Sequence, residues 1–355
     1  MVKVGIIGLG HLHPESYMPH FAACADARVT AACDGNPERL ARFASRFGVK
    51  AFADWQSLVA EAGIDLAFIF LPHCDCDAAA IACAERGIAV VVEKPVASTS
   101  AKALAIADAC KRAGVFFSTP YVWRMHPVIR KMKETLASGM LGQITACEGR
   151  CAAGGLHRYV EGGAEWMLDR QRSGGGPMYN LGVHWIDLYR WLLDAEITEV
   201  IGRNMQVDPG RNIEDNSFAI ATFDSGTVLS LDISYTIPDC YPYGRDLYLG
   251  IRGTRGCITF APSFEGLRQT LFLCSDHPGF GGAPRQTLTF ELADVPGYFG
   301  AVGLEYVKEV VKAVTEKREP FIGGRDAVRT LCVAEAVYRS AQQGCTVPVR
   351  YPEAI

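Results

Sequence analysis

A glycine-rich turn near the start of the chain is the first group of residues whose types and spacing suggest chemistry. Gly8 and Gly10 stand in the run Gly-Leu-Gly-His-Leu-His, which follows an apolar strand pattern, Val2–Gly8, and precedes a helical one. Gly8 permits a tight turn, Gly10 lets a pyrophosphate approach the backbone, and the N–H groups at the start of the helix face that phosphate. His13 replaces the third glycine of this pattern, so we expect the helix to start later, with Pro14 in its first turn. The turn predicts a dinucleotide-binding loop, and a glycine turn of some other α/β protein is the alternative interpretation.

A carboxylate further along the chain strengthens that prediction. Asp34 ends the second strand, about 20 to 25 residues after the glycines, where a carboxylate can bind the hydroxyls of a ribose. The same negative charge repels a 2′-phosphate, and Gly35-Asn-Pro37 follows it with no adjacent arginine, so NAD is favoured and NADP is less expected. Arg39 keeps that choice open, and Asp34 has an alternative role as the N-cap of a helix at Pro37.

Other histidines and cysteines invite a comparison with metal sites. The run His73-Cys-Asp-Cys-Asp77 follows the fourth strand, but a zinc site needs four ligands at suitable spacing and the sequence has no second matching cluster. Cys147 and Cys151 share one face of a predicted strand, and nothing completes a site there. We therefore predict no metal. The roles of His11 and His13 stay open between lining a cofactor and reaching a substrate.

The elements that must position these residues alternate regularly in the first third of the chain. Continuous strands rich in Val and Ile, separated by amphipathic helices such as Ser100–Arg112, indicate a parallel sheet covered on both faces. The predicted fold class is therefore α/β, beginning with a Rossmann-type, doubly wound parallel sheet. Its six predicted strands are Val2–Gly8, Arg28–Asp34, Lys50–Phe52, Ile64–Pro72, Gly87–Pro95 and Val115–Pro120.

After the sixth strand the pattern changes to longer segments with β character. A helix at Pro127–Ser138 leads into segments such as GQITACEGRC, SFAIATF and GTVLSLDISYT, and the turn signals between them favour an open, mainly antiparallel sheet. We therefore expect two domains, 1–122 and 123–355, the second also α/β. The other predicted helices are Gly174–Leu192, Tyr306–Lys317 and Asp326–Gln343.

Composition narrows the class of protein and of partner. The 355 residues are 49% hydrophobic and 21% charged, with a net charge of −4, which is typical of a globular protein and favours neither a nucleic-acid nor a membrane partner. No apolar run approaches the roughly 20 residues that span a bilayer, and the first residues lack a signal-peptide layout. The thirteen cysteines have no paired spacing, which is typical of buried thiols in a reducing compartment. We expect a cytoplasmic protein.

A motif at the end of the fifth strand connects these features. Glu93-Lys-Pro95, together with the turn at Gly8, resembles the Gfo/Idh/MocA family of sugar and polyol oxidoreductases, and the likeness continues in order through almost the whole chain. The further matching segments are Tyr121–Arg124 with Pro127, Trp166–Asp169, Ser173–Gly176, Gly182–His184 with Asp187, Glu214-Asp215, Gly253–Gly256 and Glu335–Ser340.

The resemblance implies a Rossmann domain, a second α/β domain for substrate binding and oligomerisation, and an active site in a cleft. By matching position, Lys94 and His184 would be catalytic and Glu93 would help to place the nicotinamide. The family's catalytic aspartate lies four residues before the histidine, and this chain has Asn180 there. A lysine–aspartate–histidine relay therefore does not carry over intact.

The chemistry that the family performs explains why these residue types matter. A lysine ammonium beside a hydroxyl stabilises a developing alkoxide, and histidine, with an ordinary pKa of about 6.5, accepts the hydroxyl proton. Asn180 and His184 are four residues apart on one predicted helix, so they share a face, and Asn180 can fix the imidazole tautomer without adding charge. Asp187 is expected to bind substrate hydroxyls or to replace part of that charge. The plainer alternatives are a structural ion pair for Arg124 and ordinary core for Trp166.

The predicted site comprises three overlapping sets of residues. The predicted catalytic residues are Lys94, His184 and Asn180. The predicted cofactor contacts are Gly8, Leu9, Gly10, His11, Leu12, Asp34, Leu71, Pro72, His73, Glu93, Lys94 and Arg124. The predicted substrate contacts are Lys94, Trp166, Asn180, His184 and Asp187.

Three functions compete at this point. The leading one is an NAD-dependent dehydrogenase acting on a sugar, cyclic polyol or sugar derivative, as a homodimer or homotetramer paired through the second sheet. The second is a sugar lyase or glycosidase that uses bound NAD transiently, which the change at Asn180 favours. The third is a non-catalytic sugar or dinucleotide sensor, against which the presence of both Lys94 and His184 argues.

Overall fold

Short apolar strands build the first sheet of the protein. The computed structural model describes residues 1–263, 266–280 and 282–353, and its first sheet is six-stranded and parallel, in the order β3-β2-β1-β4-β5-β6. Its strands are β1 (Val2–Ile7), β2 (Ala27–Cys33), β3 (Lys50–Phe52), β4 (Leu66–Ile69), β5 (Ala89–Val92) and β6 (Phe117–Ser118). This order places β1 between β2 and β4, so the carboxyl end of β1 is the switch point of a doubly wound sheet, as the sequence predicts.

Helices connect these strands, and their ends follow local capping rules. The chain from His13 enters the first helix with Pro14 at its first position, as expected for a proline that has no N–H to leave unpaired. Thr99 and Asp54 cap later helices through their side-chain oxygens. The helices are α1 (Pro14–Ala22), α2 (Pro37–Phe47), α3 (Trp55–Glu61), α4 (Cys76–Glu85) and α5 (Ser100–Ala113).

The chain then forms two units, each assembled from three segments. The first unit contains Met1–Val122, His157–Gly175 and Val295–Leu331, and the second contains Trp123–Leu156, Gly176–Asp294 and Cys332–Ile355. Next along the chain come α6 (Pro127–Ala137), β7 (Ile144–Ala153), α7 (His157–Glu161), a 3-10 turn (Glu165–Leu168) and α8 (Arg170–Ser173).

The segment after α8 departs from the single helix expected over Gly174–Leu192. Gly174 adopts φ +88° and ends α8, because a left-handed residue at this position cannot continue a helix. The chain then makes a π-helical turn, Met178–Gly182, which continues into α9 (Val183–Leu193). The helix prediction was therefore wrong over residues 174–176, and the helix begins at Pro177 with the π turn as its first part.

The second unit carries a nine-stranded sheet. Its order is β14-β13-β12-β11-β7-β10-β9-β8-β15, in which β7 and β10 run parallel and the other neighbours antiparallel. The remaining strands are β8 (Ile197–Met205), β9 (Asn216–Phe223), β10 (Val228–Ser234), β11 (Arg245–Gly253), β12 (Gly256–Phe260), β13 (Arg268–Ser275), β14 (Arg285–Glu291) and β15 (Val347–Pro348). The prediction of an open, mainly antiparallel second sheet is confirmed.

Helix α9 packs on one face of that sheet. The indole N–H of Trp185 donates to the Tyr248 carbonyl at 3.0 Å, and a Cβ at Gly149 on β7 would lie 2.4 Å from the Trp185 ring. The long tail helices are α10 (Gly300–Glu316) and α11 (Gly324–Gln343), of which α10 begins six residues before the predicted Tyr306. Among the described residues, no helix is both long enough and apolar enough to cross a membrane.

Candidate active site

The loop after β1 has the geometry that a dinucleotide loop requires. Gly8 adopts φ +86°, and a Cβ there would lie 3.1 Å from the main-chain nitrogen of Leu71. A side chain at this position would therefore strain the turn and press on the loop after β4. Leu9 and Gly10 follow, and His13 precedes α1 without any side-chain cap, so the first N–H groups of α1 are not capped by that side chain.

Asp34 holds this loop from the end of β2. Its carboxylate accepts the N–H of Leu9 at 2.7 Å and the N–H of Asn36 at 2.8 Å. Asn36, and not Asp34, is the N-cap of α2, because its side chain accepts the N–H of Arg39. The N-cap alternative considered for Asp34 is thus wrong, and the carboxylate instead fixes the position of the glycine turn.

Arg39 lies over the same loop. Its Nη1 is 3.5 Å from Asp34 Oδ2, and a Cβ at Gly10 would come within 2.3 Å of that nitrogen. The guanidinium borders two cavities. The larger, of about 510 Å³, is lined in part by Gly8, Gly10 and Asp34. The smaller, of about 470 Å³, is lined in part by Leu9, His11 and Leu12. Volumes of this size suit parts of a dinucleotide. In the sequence, Arg39 was considered only because a nearby arginine keeps the choice between NAD and NADP open.

Trp166 is fixed against the loop by a hydrogen bond. Its indole N–H donates to the Gly10 carbonyl at 2.7 Å, and its ring packs edge-on against His73 with the centroids 4.8 Å apart. Leu71 and Pro72 line the larger cavity beside it. Trp166 is therefore a buried side chain that packs on the glycine loop, and its contact with a substrate stays a prediction.

His73 is a buried, neutral side chain. Its Nδ1 lies 2.7 Å from the Ser173 carbonyl, and burial lowers the pKa of His73 to about 4. The cysteines that follow are used locally: the Cys76 thiol donates to the Leu71 carbonyl, and the Lys102 ammonium binds both Asp77 and the Cys74 carbonyl. Side chains of the run that resembles a metal loop are thus bound to other groups of the protein.

Glu93 and Lys94 follow β5 and are buried, with exposed fractions of 3% and 4%. Burial raises the pKa of Glu93 above its ordinary value, and the positive charges of neighbouring groups oppose this shift. Glu93 Oε2 is 3.4 Å from Nδ1 of His13. Burial also lowers the pKa of His11 well below its ordinary value, with His13 as the next cause. This corner of the first unit therefore holds several ionisable groups away from water.

In the second unit, Arg124 and Asp187 form a buried ion pair. The guanidinium Nε donates to Asp187 Oδ2 at 2.9 Å and Nη2 donates to the other oxygen, and the two residues are 4% and 1% exposed. Two donors in this fork geometry are the strongest form of such a pair. This contact is the structural ion pair considered for Arg124, and it leaves the Asp187 carboxylate bound by a guanidinium. The predicted contact of Arg124 with a cofactor stays a prediction.

Asn180 and His184 lie on different kinds of helical turn. Asn180 is in the π turn and His184 is in the first turn of α9, and both are buried. The π turn closes i→i+5 hydrogen bonds and continues directly into α9, so Asn180 and His184 belong to one continuous helical segment, and their shared face stays a prediction. Such turns are frequent at functional sites.

A carboxylate that the sequence did not assign to the site positions this segment. Glu214 accepts the N–H of Gly176 at 3.0 Å and the hydroxyl of Tyr338, and a Cβ at Gly176 would meet the Glu214 carbonyl at 2.2 Å. These contacts hold the chain just before the π turn.

In the first unit, Tyr298 is another residue that the sequence did not assign to the site. The Tyr298 ring lies 4.2 Å from that of His13, and the Tyr298 carbonyl binds His20. No local sequence pattern marks either partnership.

Comparisons with known proteins agree with this organisation. A model described as "Oxidoreductase family, NAD-binding Rossmann fold" matches residues 2–121, and one described as "Oxidoreductase family, C-terminal alpha/beta domain" matches residues 133–349. The chain is 23% identical to the D-apiose dehydrogenase of Paraburkholderia graminis, over 100% of this chain and 90% of that protein. It is 24% identical to the myo-inositol 2-dehydrogenase of Thermotoga maritima, over 96% and 97%. A structure of levoglucosan dehydrogenase in complex with NADH and levoglucosan superposes with a TM-score of 0.84, at 22% identity over 98% of this chain and 99% of that one.

The contacts of Asp34 predict how the protein distinguishes two dinucleotides. We expect NAD to bind at least about tenfold more tightly than NADP, or about 1.4 kcal/mol, because a 2′-phosphate would meet the Asp34 carboxylate. Arg39→Ala should widen this difference, because it removes the one guanidinium 3.5 Å from that carboxylate. Calorimetric titration with each dinucleotide measures both effects, and Arg42→Ala, which borders only the smaller cavity, is the control. Equal dissociation constants for NAD and NADP would refute this role of Asp34.

Proposed function

Because the chain belongs to the Gfo/Idh/MocA oxidoreductase family, we propose that it transfers hydride between a nicotinamide dinucleotide and a hydroxyl-bearing carbon of a sugar, cyclic polyol or sugar derivative. The protein is an NAD(P)-dependent oxidoreductase that acts on CH–OH groups. The observation that carries the proposal is the loop at Gly8, with its glycine-only turn, its cavities and the Asp34 carboxylate. Its curated relatives act on apiose and inositol, which supports a sugar or polyol as the substrate class.

The residues of the first unit fit the cofactor. Gly10 has no side chain that would keep a pyrophosphate from the backbone, and main-chain N–H groups of the loop before α1 would donate to the pyrophosphate. Asp34 would accept the ribose hydroxyls, and Leu71, Pro72 and His73 would border the rest of the dinucleotide. When bound, the nicotinamide supplies the hydride chemistry. The chain's task is to orient the ring and to handle the proton, and Glu93 contributes to the first of these.

Lys94 is proposed to stabilise the alkoxide that develops as the hydride leaves. An ammonium held in a buried place acts more strongly on such a charge than one in water, since no solvent reorganisation is needed. His184 is proposed to accept the hydroxyl proton, with Asn180 orienting its imidazole. Asp187 is a weaker candidate for the base, because Arg124 already binds its carboxylate twice.

A sugar lyase or glycosidase that uses bound NAD transiently is the second candidate. Asn180 favours it, because an amide cannot carry a proton onward as the family's aspartate does. The two functions differ in net chemistry: a dehydrogenase converts one free NAD for each alcohol oxidised, and a lyase regenerates its bound NAD. A panel of sugars and polyols assayed with NAD and NADP, followed at the absorbance of the reduced nicotinamide, separates them. Product formation without net reduction of NAD would contradict the leading proposal.

We also propose that the open face of the nine-stranded sheet pairs with a second copy of this chain. Ile201, Phe218, Ile220 and Phe272 are exposed on this sheet, Ile220 by 52%, and a cavity of about 430 Å³ on the face includes Arg150 and Asp232 among its walls. Apolar side chains next to opposite charges suit a self-complementary contact.

All thirteen cysteines are free thiols, which supports a reducing, cytoplasmic location.

Pairing through this face predicts the effect of one charged substitution. Ile220→Glu should convert a dimer or tetramer into a smaller species, because each interface would bury an unpaired carboxylate. Sedimentation velocity measures the species. Val160→Glu changes another exposed apolar residue, on α7, and should leave the assembly intact. A wild-type protein that sediments as a monomer would contradict the proposal.

The role of Lys94 predicts a selective loss of turnover. Lys94→Ala should lower kcat by about 10² or more, because the alkoxide loses its cation, and should leave the dissociation constant for NAD little changed. Steady-state kinetics and calorimetry give the two values, and Lys111→Ala on the exposed side of α5 is the control. Near-wild-type turnover in Lys94→Ala would end this assignment.

The role of Asn180 predicts a change in pH dependence. Oxidation requires the neutral imidazole of His184, so kcat/KM falls at low pH as the ring becomes charged. Asn180→Asp should move this acid limb upward by about one pH unit, because a nearby carboxylate favours the imidazolium and raises its pKa. Asn180→Ala should chiefly lower the rate and move the limb less. An unmoved limb in Asn180→Asp, together with activity in His184→Ala, would assign the proton to another group.

A further inference from the structure

Two histidines and one carboxylate of the first unit converge although they come from three elements. His11 belongs to the loop after β1, His13 immediately precedes α1, and Glu93 follows β5. One ring nitrogen of each histidine and one carboxylate oxygen all lie within 4.8 Å of one another. His11 and Glu93 are 5% and 3% exposed, and the His13 side chain is 19% exposed. The proposed function leaves the two imidazoles unexplained.

Several polar atoms of this cluster are buried without a hydrogen-bond partner among the described residues. They are Nε2 of His11 and both carboxylate oxygens of Glu93. The Lys94 main-chain N–H is close enough to lower the pKa of Glu93, but a buried carboxylate with no better hydrogen bond is costly, and native proteins usually satisfy it with a water or an ion. His13 Nδ1 lies 3.4 Å from Glu93 Oε2, which is longer than a charge-assisted hydrogen bond. The cluster therefore resembles a set of metal ligands as much as an ion pair.

We propose that His11, His13 and Glu93 bind a divalent first-row transition metal ion. Two imidazoles and one carboxylate form a donor set that such ions accept with an open fourth position, whereas magnesium and calcium prefer oxygen ligands alone. Ligands about 2.1 Å from a tetrahedral ion are about 3.4 Å from each other, which is the separation of the His13 and Glu93 atoms. A pair of ligand atoms as far apart as 4.8 Å must close by about 1.4 Å to reach that tetrahedral separation.

Two features set the strength of binding. The N–H of His13 donates to Nδ1 of His11 at 3.2 Å, so binding through Nε2 moves the ring proton to Nδ1 and breaks this long bond. Lys94, next to Glu93, adds a positive charge that opposes a cation, as it also opposes protonation of His11. The ion nevertheless links the glycine loop, α1 and β5, and so stabilises the elements that position the loop.

Titration with Co²⁺ tests the proposal, because its visible absorption reports the ligand atoms. The full-length protein, dialysed against a chelator, should bind one equivalent with bands typical of nitrogen and oxygen ligands. Thiolate ligands from the free cysteines would add a charge-transfer band in the near ultraviolet. His13→Ala and Glu93→Gln should each weaken binding by at least about tenfold, while His157→Ala, an exposed histidine on α7, should leave it unchanged. Zn²⁺ should raise the Tm of the wild type and not that of His13→Ala.

Three results would overturn the proposal. They are the absence of saturable absorption, a thiolate band as the only signal, and equal binding by the wild type and His13→Ala. Circular dichroism of each variant establishes that it is folded. If Glu93→Gln does not fold, His13→Ala decides the question, because its side chain is the most exposed of the three and its removal leaves the carboxylate in place.

Discussion

The turn at Gly8 is the constraint on which the first unit depends. The carboxyl end of β1 lies between those of β2 and β4, and the backbone must turn there with φ +86° and with the Leu71 main chain about 3 Å from any side chain it carried. Only glycine meets both conditions. The loop is then held from the other side, where Asp34 accepts the N–H of Leu9. These two contacts hold the loop backbone in one position, where a phosphate can approach it.

Segments distant in the sequence complete this loop. Trp166 donates to the Gly10 carbonyl, and a Cβ at Gly162 would lie 2.2 Å from the Leu12 side chain, so the segment His157–Gly175 packs closely on the loop. His73, whose pKa burial lowers to about 4, is likewise bound to a carbonyl of that segment. Burial thus lowers the pKa of both His11 and His73, and Nε2 of His11 and the Glu93 carboxylate oxygens are among the buried polar atoms that have no hydrogen-bond partner within the described residues.

The second unit also contains a glycine that packs against a carboxylate residue. Gly176 cannot carry a side chain because the Glu214 carbonyl lies where its Cβ would be, and the Glu214 side chain binds the Gly176 N–H. The chain leaves this contact in a π turn that contains Asn180 and continues into α9 with His184. Asn180 therefore lies in a segment that other parts of the unit hold in place.

The sequence by itself determined the fold class, the dinucleotide loop and the family, because these depend on local properties: strand and helix periodicity, glycine where the backbone must turn, and motifs in a fixed order. It could not determine which partner each polar side chain takes. Arg124 and Asp187 are 63 positions apart, and only the folded chain decides that they bind each other. The same holds for Asn36, which caps α2 in preference to Asp34, and for Gly176, whose N–H binds Glu214. The convergence of His11, His13 and Glu93 is also a tertiary result, because the distance between side chains that follow different strands is set by the order of those strands in the sheet and leaves no periodic signal in the sequence.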